Sequence, residues 1–297
     1  MDDGLVDSRG LARTWLFTPA DNPRALASKD ALRADARVID LEDGSGQDDL
    51  RSARAAAAHS SRELSVDQDV YVRVHATGPD LEDDIAFSVG ERVKGVIVPK
   101  VETVQHVIVV DELLQARETA MGVSRRFTIV LLLETPRAIL NAEALSRASQ
   151  RVERLALGAF DLAAILEVDQ GSAPIQHARS QLVLVSSAAG LPRPIASPWF
   201  DLNDELGLSG YAYRARMDGF GGIFLVHPGQ VGAASSAFAP TSDEKAWAQQ
   251  VLSAAEQHPG GSFSVEGQVI DAPVLRRASK ILNDVAADTR GVRSTTN

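Results

Sequence analysis

The chain has 297 residues, a formal net charge of −10 at pH 7 and no cysteine. The lack of cysteine excludes disulfides, thiolate metal sites and cysteine nucleophiles, and the acidic balance disfavours non-specific binding to nucleic acid. No apolar run approaches the roughly 18 residues that a bilayer-spanning helix needs, and no secretory leader is recognisable. We therefore expect a cytoplasmic protein that does not enter a membrane.

Eight apolar runs of strand length alternate with helical patterns along the first four-fifths of the chain. This alternation predicts an α/β fold, a (β/α)8 TIM barrel, for which roughly 250 residues suffice. The predicted strands are 14–18, 37–41, 70–74, 95–99, 128–134, 154–157, 194–197 and 222–226. The predicted helices between them are 23–32, 48–60, 80–89, 102–120, 136–148, 174–189 and 204–218.

The remainder of the chain follows a different pattern. Helices are predicted at 242–256 and 273–287, with a hairpin at 262–270 around Glu266-Gly267. We therefore divide the chain into a barrel catalytic domain at 1–240 and a C-terminal extension of helices and a hairpin at 241–297.

Two of the apolar runs end in or close to a carboxylate. Glu134 directly follows the run from Thr128 to Leu133, and Asp161 follows the next strand in the segment Gly158-Ala-Phe-Asp. The carboxyl ends of neighbouring parallel strands meet at one rim of a barrel, where barrel enzymes place their chemistry. Carboxylate oxygens are the ligands that Mg²⁺ prefers, so this pair predicts a metal site.

Arg73 lies within a predicted strand among apolar neighbours, where an unpaired guanidinium would be costly. It therefore needs a carboxylate partner, which is either internal or part of a substrate. The second strand ends in Asp40, Glu42 and Asp43, and these side chains are candidates to orient Arg73 or metal-bound waters. For each of them alone, a structural salt bridge is an equally good interpretation.

Three further features have competing interpretations. Lys100 is a candidate Schiff-base nucleophile, although most lysines at strand ends are not. His227-Pro228 fits the entry of a helix better than a catalytic base. The basic group Arg24, Lys29 and Arg33 fits either phosphate binding or an ordinary solvated helix face.

Eight short motifs, each weak alone, occur in an order that resembles the citrate lyase β-subunit-like branch of the HpcH/HpaI aldolase family. They are Thr14-Trp-Leu-Phe-Thr-Pro-Ala-Asp-Asn-Pro23, Asp40-Leu-Glu-Asp43, Val72-Arg-Val74, Val98-Pro-Lys100, Leu133-Glu-Thr-Pro136, Gly158-Ala-Phe-Asp-Leu162, His227-Pro-Gly-Gln-Val231 and Gly267-Gln-Val-Ile-Asp-Ala-Pro273. The resemblance covers nearly the whole chain. Departures from the family pattern stand at Ala20, Ser28, His75, Ala196, Ser197 and Ile223.

The resemblance implies a barrel that works as a homotrimer or a hexamer. It implies that Mg²⁺ is held by Glu134 and Asp161, and that Arg73 grips the 2-keto acid half of the substrate. Asp271 matches a family aspartate that reaches into the site of a neighbouring subunit, so the extension is expected to pack there. The coenzyme A thioester is expected to contact Thr18, Pro19, Arg24 and Lys29.

The implied activity is Mg²⁺-dependent carbon–carbon cleavage or formation of a 3-hydroxyacyl-CoA, such as citryl-, malyl- or citramalyl-CoA. The products are an acyl-CoA and a 2-keto acid. One alternative is a metal-dependent aldolase that takes a free 2-keto acid without coenzyme A. The other is a non-catalytic subunit of a lyase complex.

Overall fold

The computed structural model describes residues 12–20, 31–43, 50–64, 68–258 and 262–293, with the side chains of Glu63 and 286–293 left aside. Contact clustering divides the chain into a unit from Ala12 to Phe238 and a second unit that contains Ala239 onward. Arg24 and Lys29, together with most of the predicted helix at 23–32, lie outside the described residues.

Eight parallel strands close into a barrel in chain order, with the last strand paired to the first. The predicted TIM barrel is therefore confirmed. Its strands are β1 (Thr14–Pro19), β2 (Ala36–Asp40), β3 (Asp69–Arg73), β4 (Gly95–Val98), β5 (Thr128–Leu133), β6 (Val152–Leu157), β7 (Ile195–Ala196) and β8 (Gly222–Leu225).

Helices connect the strands. They are α1 (Leu50–Glu63), α2 (Gly78–Ser88), α3 (Val104–Met121), α4 (Pro136–Leu140), α5 (Ala142–Ser146), α6 (Ala159–Leu166), α7 (Ala173–Ala188), α8 (Glu205–Met217) and α9 (Val231–Phe238), with short 3-10 turns at Ala31–Arg33 and Pro228–Gln230.

The single helix predicted at 136–148 is wrong, because the chain breaks at Asn141 into α4 and α5. Asn141 has φ −95° and ψ 5°, and its side-chain amide donates to the carbonyl of Glu102 instead of capping either helix. Helices α6 and α9 were not predicted. Both are only eight residues long, so they offer little periodicity for a sequence pattern to reveal.

The strands alternate between two apolar layers. Side chains such as Trp15, Tyr71 and Phe224 fill the inside of the barrel, whereas the intervening residues, such as Val70 and Val72, pack under the helices. This alternation follows from the two-residue repeat of a strand. Arg73 lies two positions after Tyr71, so its side chain extends the inward-facing row to the carboxyl end of the barrel.

The second unit has a small apolar core of its own. It is built from α10 (Ser242–Gln257), the antiparallel pair β9 (Phe263–Val265) and β10 (Gln268–Ile270), and α11 (Ala272–Arg293). The predicted hairpin is confirmed, and its turn places Glu266 at φ 48° and Gly267 at φ 82°. Positive φ at both turn residues matches the twist of the flanking strands.

Among the residues that the structure describes, no helix is both long and apolar enough to cross a membrane.

Candidate active site

The carboxyl ends of β2 to β6 bring the predicted charged residues to one rim of the barrel. Asp40 ends β2, Arg73 ends β3, Lys100 follows β4 and Glu134 follows β5. Asp161 lies in the first turn of α6, directly after β6. The closed, parallel arrangement therefore gathers groups that are up to 121 positions apart in the sequence.

Arg73 is bound by three carboxylates. Its Nε and Nη2 donate to the two oxygens of Asp40 at 2.7 Å each, Nη2 also contacts Asp43 at 2.9 Å, and Nη1 contacts Glu42 at 3.0 Å. The guanidinium lies 4.7 Å above the ring of Phe17. Burial alone would lower the pKa of Arg73, but the surrounding carboxylates raise it. The internal partner considered for Arg73 is therefore present.

These contacts do not use every donor of Arg73. A guanidinium carries five N–H groups, and the four contacts above leave one, on Nη1. Asp43 is also 71 % exposed, in contrast to the buried Asp40 and Glu42. A carboxylate from solution would thus find one spare donor and one partner that is easily displaced.

Lys100 joins the cluster in two ways. Its Nζ donates to Glu42 at 2.7 Å, and its backbone N–H donates to Glu134 at 2.9 Å. The hydrogen bond to Glu42 raises the pKa of Lys100. A Schiff-base nucleophile must be a neutral amine, so this ion pair is evidence against that role. The residue adopts φ 50°, an uncommon conformation for a non-glycine residue.

Glu134 is buried, and ionisation of its carboxyl group is unfavourable. Burial, together with the negative charges of Asp161 and Glu42, raises the pKa of Glu134 to about 8. The Lys100 N–H and the charge of Arg73 offset only part of this effect. A cation held by Glu134 and Asp161 would stabilise the ionised carboxylates and so oppose this shift, and the oxygen donors suit a hard divalent ion.

Burial also dominates at Glu42. It raises the pKa of this carboxyl group, although Arg73 and Lys100 act in the opposite direction. Among the described residues, no three His, Asp or Glu side chains form a ready-made metal cage. A divalent ion would take two carboxylates and complete its shell with water or ligand oxygens, as Mg²⁺ commonly does.

The structure also describes three other predicted site residues, namely Thr18, Pro19 and Asp271. Thr18 has a buried side chain that accepts a hydrogen bond from Arg37 at 3.3 Å, and its contact with the coenzyme stays a prediction. Pro19 pairs in register with Asp40 at the rim. Asp271 directly precedes α11, and its carboxylate accepts the N–H of Val274 at 3.2 Å; its intersubunit role stays a prediction.

His227 is a helix-entry residue, as its motif favours. Its ring Nδ1 accepts the N–H of Gly229 at 3.1 Å, and Gln230 caps the same turn in return.

Two residues near the rim form hydrogen-bond networks that were not predicted from the sequence. One is Ser197, bound to the segment between β6 and α6. The other is His75, whose Nδ1 lies 2.7 Å from the fully buried Asp84.

The networks of Ser197 and His75 join residues that are more than five positions apart. His75 and Asp84 are separated by nine positions, and Asp84 also accepts a hydrogen bond from Arg54 at 2.7 Å. The single sequence carried one signal, namely that both Ser197 and His75 depart from the family pattern.

Comparison with known proteins gives one consistent family. The family model described as HpcH/HpaI aldolase/citrate lyase matches residues 13–228. A citrate lyase subunit beta-like protein of Mycobacterium tuberculosis is 32% identical over 93% of this chain and 97% of its own length. An L-malyl-CoA/beta-methylmalyl-CoA lyase of Rhodobacter capsulatus is 27% identical over 92% and 94%.

The solved structures agree with this result. The protein CitE from Mycobacterium tuberculosis, crystallised with magnesium, acetoacetate and coenzyme A, superposes with a TM-score of 0.78 at 31% sequence identity. The match covers 94% of this chain and 99% of that structure. With a matching family model and a full-length relative above 30% identity, the chain belongs to the HpcH/HpaI aldolase/citrate lyase family.

Proposed function

We propose that this protein is a divalent-metal-dependent carbon–carbon lyase acting on a 3-hydroxyacyl-CoA thioester. It would cleave the thioester into an acyl-CoA and a 2-keto acid, or form it from them. The observation that carries the proposal is the set of charged side chains gathered at the rim of the barrel. The buried carboxylate of Glu134 and the exposed carboxylate of Asp161 share one end of the barrel with the Arg73 cluster. The malyl-CoA lyase relative, and the CitE structure with magnesium, acetoacetate and coenzyme A, support the same reaction class.

Glu134 and Asp161 are the residues that would hold Mg²⁺. When bound, the ion would supply Lewis acidity to the hydroxyl and carboxylate oxygens of the substrate. The chain contributes the placement of its two ligands. The Lys100 N–H fixes one oxygen of Glu134, and the start of α6 fixes Asp161.

Arg73 would bind the carboxylate that becomes part of the 2-keto acid. Asp40 and Glu42 hold the guanidinium in a fixed plane, which suits bidentate recognition of a carboxylate. The incoming group would take the spare Nη1 donor and displace the exposed Asp43. Arg73 would then keep the substrate oriented while the bond between C2 and C3 breaks.

The cleavage turns the hydroxyl-bearing carbon into the ketone of the 2-keto acid, with the hydroxyl proton released to solvent, and the electron pair of the broken bond leaves an enolate on the thioester fragment, whose carbon must gain a proton. We assign this step to Asp271, acting from a neighbouring subunit of a homotrimer or hexamer. In the direction of synthesis, the same carboxylate would remove that proton. This role follows from the family resemblance at Gly267–Pro273.

Coenzyme A would be bound near the end of β1. Pro19 lies at the rim beside Asp40, and Arg24 and Lys29 follow in the sequence. Cationic side chains of this kind suit the phosphate groups of the coenzyme. The choice of a coenzyme A thioester over a free acid is supported by the malyl-CoA lyase relative and by the coenzyme A complex of CitE.

A turnover assay read by mass spectrometry tests the proposal. The purified chain is given malyl-CoA, citramalyl-CoA, citryl-CoA and 3-hydroxy-3-methylglutaryl-CoA, each with Mg²⁺ and with EDTA. We expect metal-dependent release of acetyl-CoA or propionyl-CoA together with a keto acid from at least one thioester. The Glu134→Gln variant serves as the matched inactive control.

Other outcomes separate the alternatives. Aldol cleavage of a free 2-keto acid substrate, with no thioester consumed, would replace the proposal by an aldolase that does not use coenzyme A. Inactivity of a stable, metal-binding oligomer on every substrate would instead favour a non-catalytic subunit of a lyase complex.

A further inference from the structure

The connection between β6 and β7 is weak where the two strands approach the rim. Strand β7 has only two residues, and its ladder to β6 consists of the single pair Ala156 and Ile195. Asp161 follows β6 by four positions, so its place depends on a segment that the sheet hardly holds. Something other than the ladder must fix this segment.

The side chain of Ser197 supplies the missing connection. Its Oγ donates to the carbonyl of Leu157 at 2.7 Å and accepts the N–H of Ala159 at 2.8 Å. The residue is fully buried, with 0% of its surface exposed. One hydroxyl thus grips the chain on both sides of Gly158, at the point where β6 turns into α6.

The bond to Ala159 also completes the helix. The first N–H groups of a helix have no partner within it, and the N-cap residue of α6, Gly158, offers no side chain. Ser197, the residue directly after β7, takes this capping role. The start of α6, and with it the Asp161 carboxylate in the first turn, is therefore tied to β7.

Gly158 links the same segment to the second carboxylate. Its N–H donates to the carbonyl of Leu133 at 3.0 Å, and a Cβ at this position would lie 2.5 Å from Oε2 of Glu134. The segment held by Ser197 therefore packs directly against the Glu134 carboxylate. A shift of this segment would change the positions of both carboxylates at once.

We propose that Ser197 is a positioning residue that sets the separation of Glu134 and Asp161, and thereby the affinity of the site for a divalent ion. The inference rests on the proposed function, because it assumes that these two carboxylates hold the ion. Ser197 itself touches neither metal nor substrate in this account. Residues that orient metal ligands typically change metal affinity by about 10–100-fold when they are replaced.

The test measures Mn²⁺ binding by electron paramagnetic resonance of the free ion, without substrate and without turnover. For Ser197→Ala we expect an affinity about tenfold or more below that of the unchanged protein. Ser88→Ala is the matched control. Ser88 is equally buried, but its hydroxyl has no hydrogen-bond partner among the described residues, so this change should leave affinity unaltered.

A second variant covers the case in which Ser197→Ala does not fold. Gly158→Ala keeps the serine but forces the segment away from Glu134, and we expect it to weaken Mn²⁺ binding as well. Folded variants that bind Mn²⁺ as tightly as the unchanged protein would overturn the inference alone. Failure of the unchanged protein to bind Mn²⁺ would overturn the metal site of the proposed function, and the inference with it.

Discussion

Arg73 combines a buried position with a permanent charge. Its side chain is 12% exposed and faces three carboxylates, so the local charge is negative before any substrate arrives. Such a cluster is stable only because each buried charge has a hydrogen-bonded partner. Burying these charges is energetically unfavourable. We interpret the arrangement as one that holds the guanidinium in one plane for a ligand.

Replacement of Arg73 by lysine tests this interpretation. Lysine keeps the positive charge but lacks the planar fork, so it cannot serve Asp40 and a substrate carboxylate together. We expect kcat/KM to fall about 100-fold, which corresponds to about 2.7 kcal/mol of lost transition-state stabilisation. Steady-state kinetics with the active thioester measure this change.

Asp43→Asn is the matched control for Arg73→Lys, because Asp43 also contacts the guanidinium but is mostly exposed. Its effect should be less than about tenfold. If Arg73→Lys were as active as the unchanged enzyme, the role of Arg73 in binding the substrate would be wrong.

Glu134→Gln isolates the charge of the buried carboxylate. The amide oxygen of glutamine still accepts the Lys100 N–H, so the rim should keep its shape while one metal ligand loses its charge. We expect Mn²⁺ binding to disappear and turnover to fall below about one-hundredth of its original value. Calorimetric titration with Mn²⁺, alongside the turnover assay, measures both effects.

Glu143→Gln provides a control on a nearby helix, since the Glu143 side chain is exposed and, within the described part of the chain, its carboxylate forms only a long i,i+4 pair at 3.8 Å. It should change neither metal affinity nor turnover. Retention of metal-dependent turnover by Glu134→Gln would contradict the assignment of Glu134 as a ligand.

Elements differ in how far the sequence predicts them. Strand β5 was predicted almost to its boundaries, because Ile129 to Leu133 is continuously apolar and Thr135-Pro136 marks its end. Strand β7 is shorter than predicted, because only Ile195 and Ala196 join the ladder. A similar difference holds for the candidate site. The charged residues that follow apolar strands were predicted from the sequence, whereas the hydrogen bonds between segments distant in the sequence were not.

A network of hydrogen bonds and ion pairs at the opposite end of the barrel stabilises the fold and lies away from the candidate active site. Arg151, just before β6, forms two hydrogen bonds with Glu118 of α3, at 2.6 and 2.8 Å, and also contacts Asp111. Glu118 accepts the N–H of Phe127 as well, at 2.6 Å. These bonds join α3 to the starts of β5 and β6.

Glu118→Gln should destabilise the fold in a pH-dependent way. Burial alone would raise the pKa of Glu118, but the bonds from Arg151 and Phe127 lower it. An acid with a lowered pKa stabilises the folded state above its unfolded pKa, and this contribution is lost as the pH falls through the folded value. We expect a loss of about 3 kcal/mol at pH 7.

Urea denaturation at pH 7 and near pH 4 measures this loss, which should shrink at the lower pH. Glu112→Gln is the control, because Glu112 is an exposed residue of the same helix. A loss that stayed constant between the two pH values would show that the ion pair is not its source. Mn²⁺ affinity at pH 7 should be unaffected by either change, since both residues lie on α3, away from the rim.

At the scale of the whole molecule, the question is whether one subunit completes the site of another. The barrel unit contains Arg73, Glu134 and Asp161, whereas Asp271 belongs to the second unit. If Asp271 acts in a neighbouring subunit, each site takes Glu134 from one chain and Asp271 from another. A variant without Asp271 and a variant without Glu134 are then each inactive alone, but each supplies the residue that the other lacks. The two defects can then be separated by mixing.

Co-expression of Asp271→Asn with Glu134→Gln under two affinity tags provides the mixture. A site is complete where an Asp271→Asn barrel meets the extension of a Glu134→Gln subunit. This holds for about a third of the sites in a cyclic trimer that contains both variants, and for about a quarter of the sites in a randomly assembled hexamer of two trimers. From mixed oligomers purified through both tags we therefore expect about a quarter to a third of the original turnover, against almost none from either variant alone. If Asp271 served its own barrel, every chain in the mixture would carry one defect in its own site, and no activity would return.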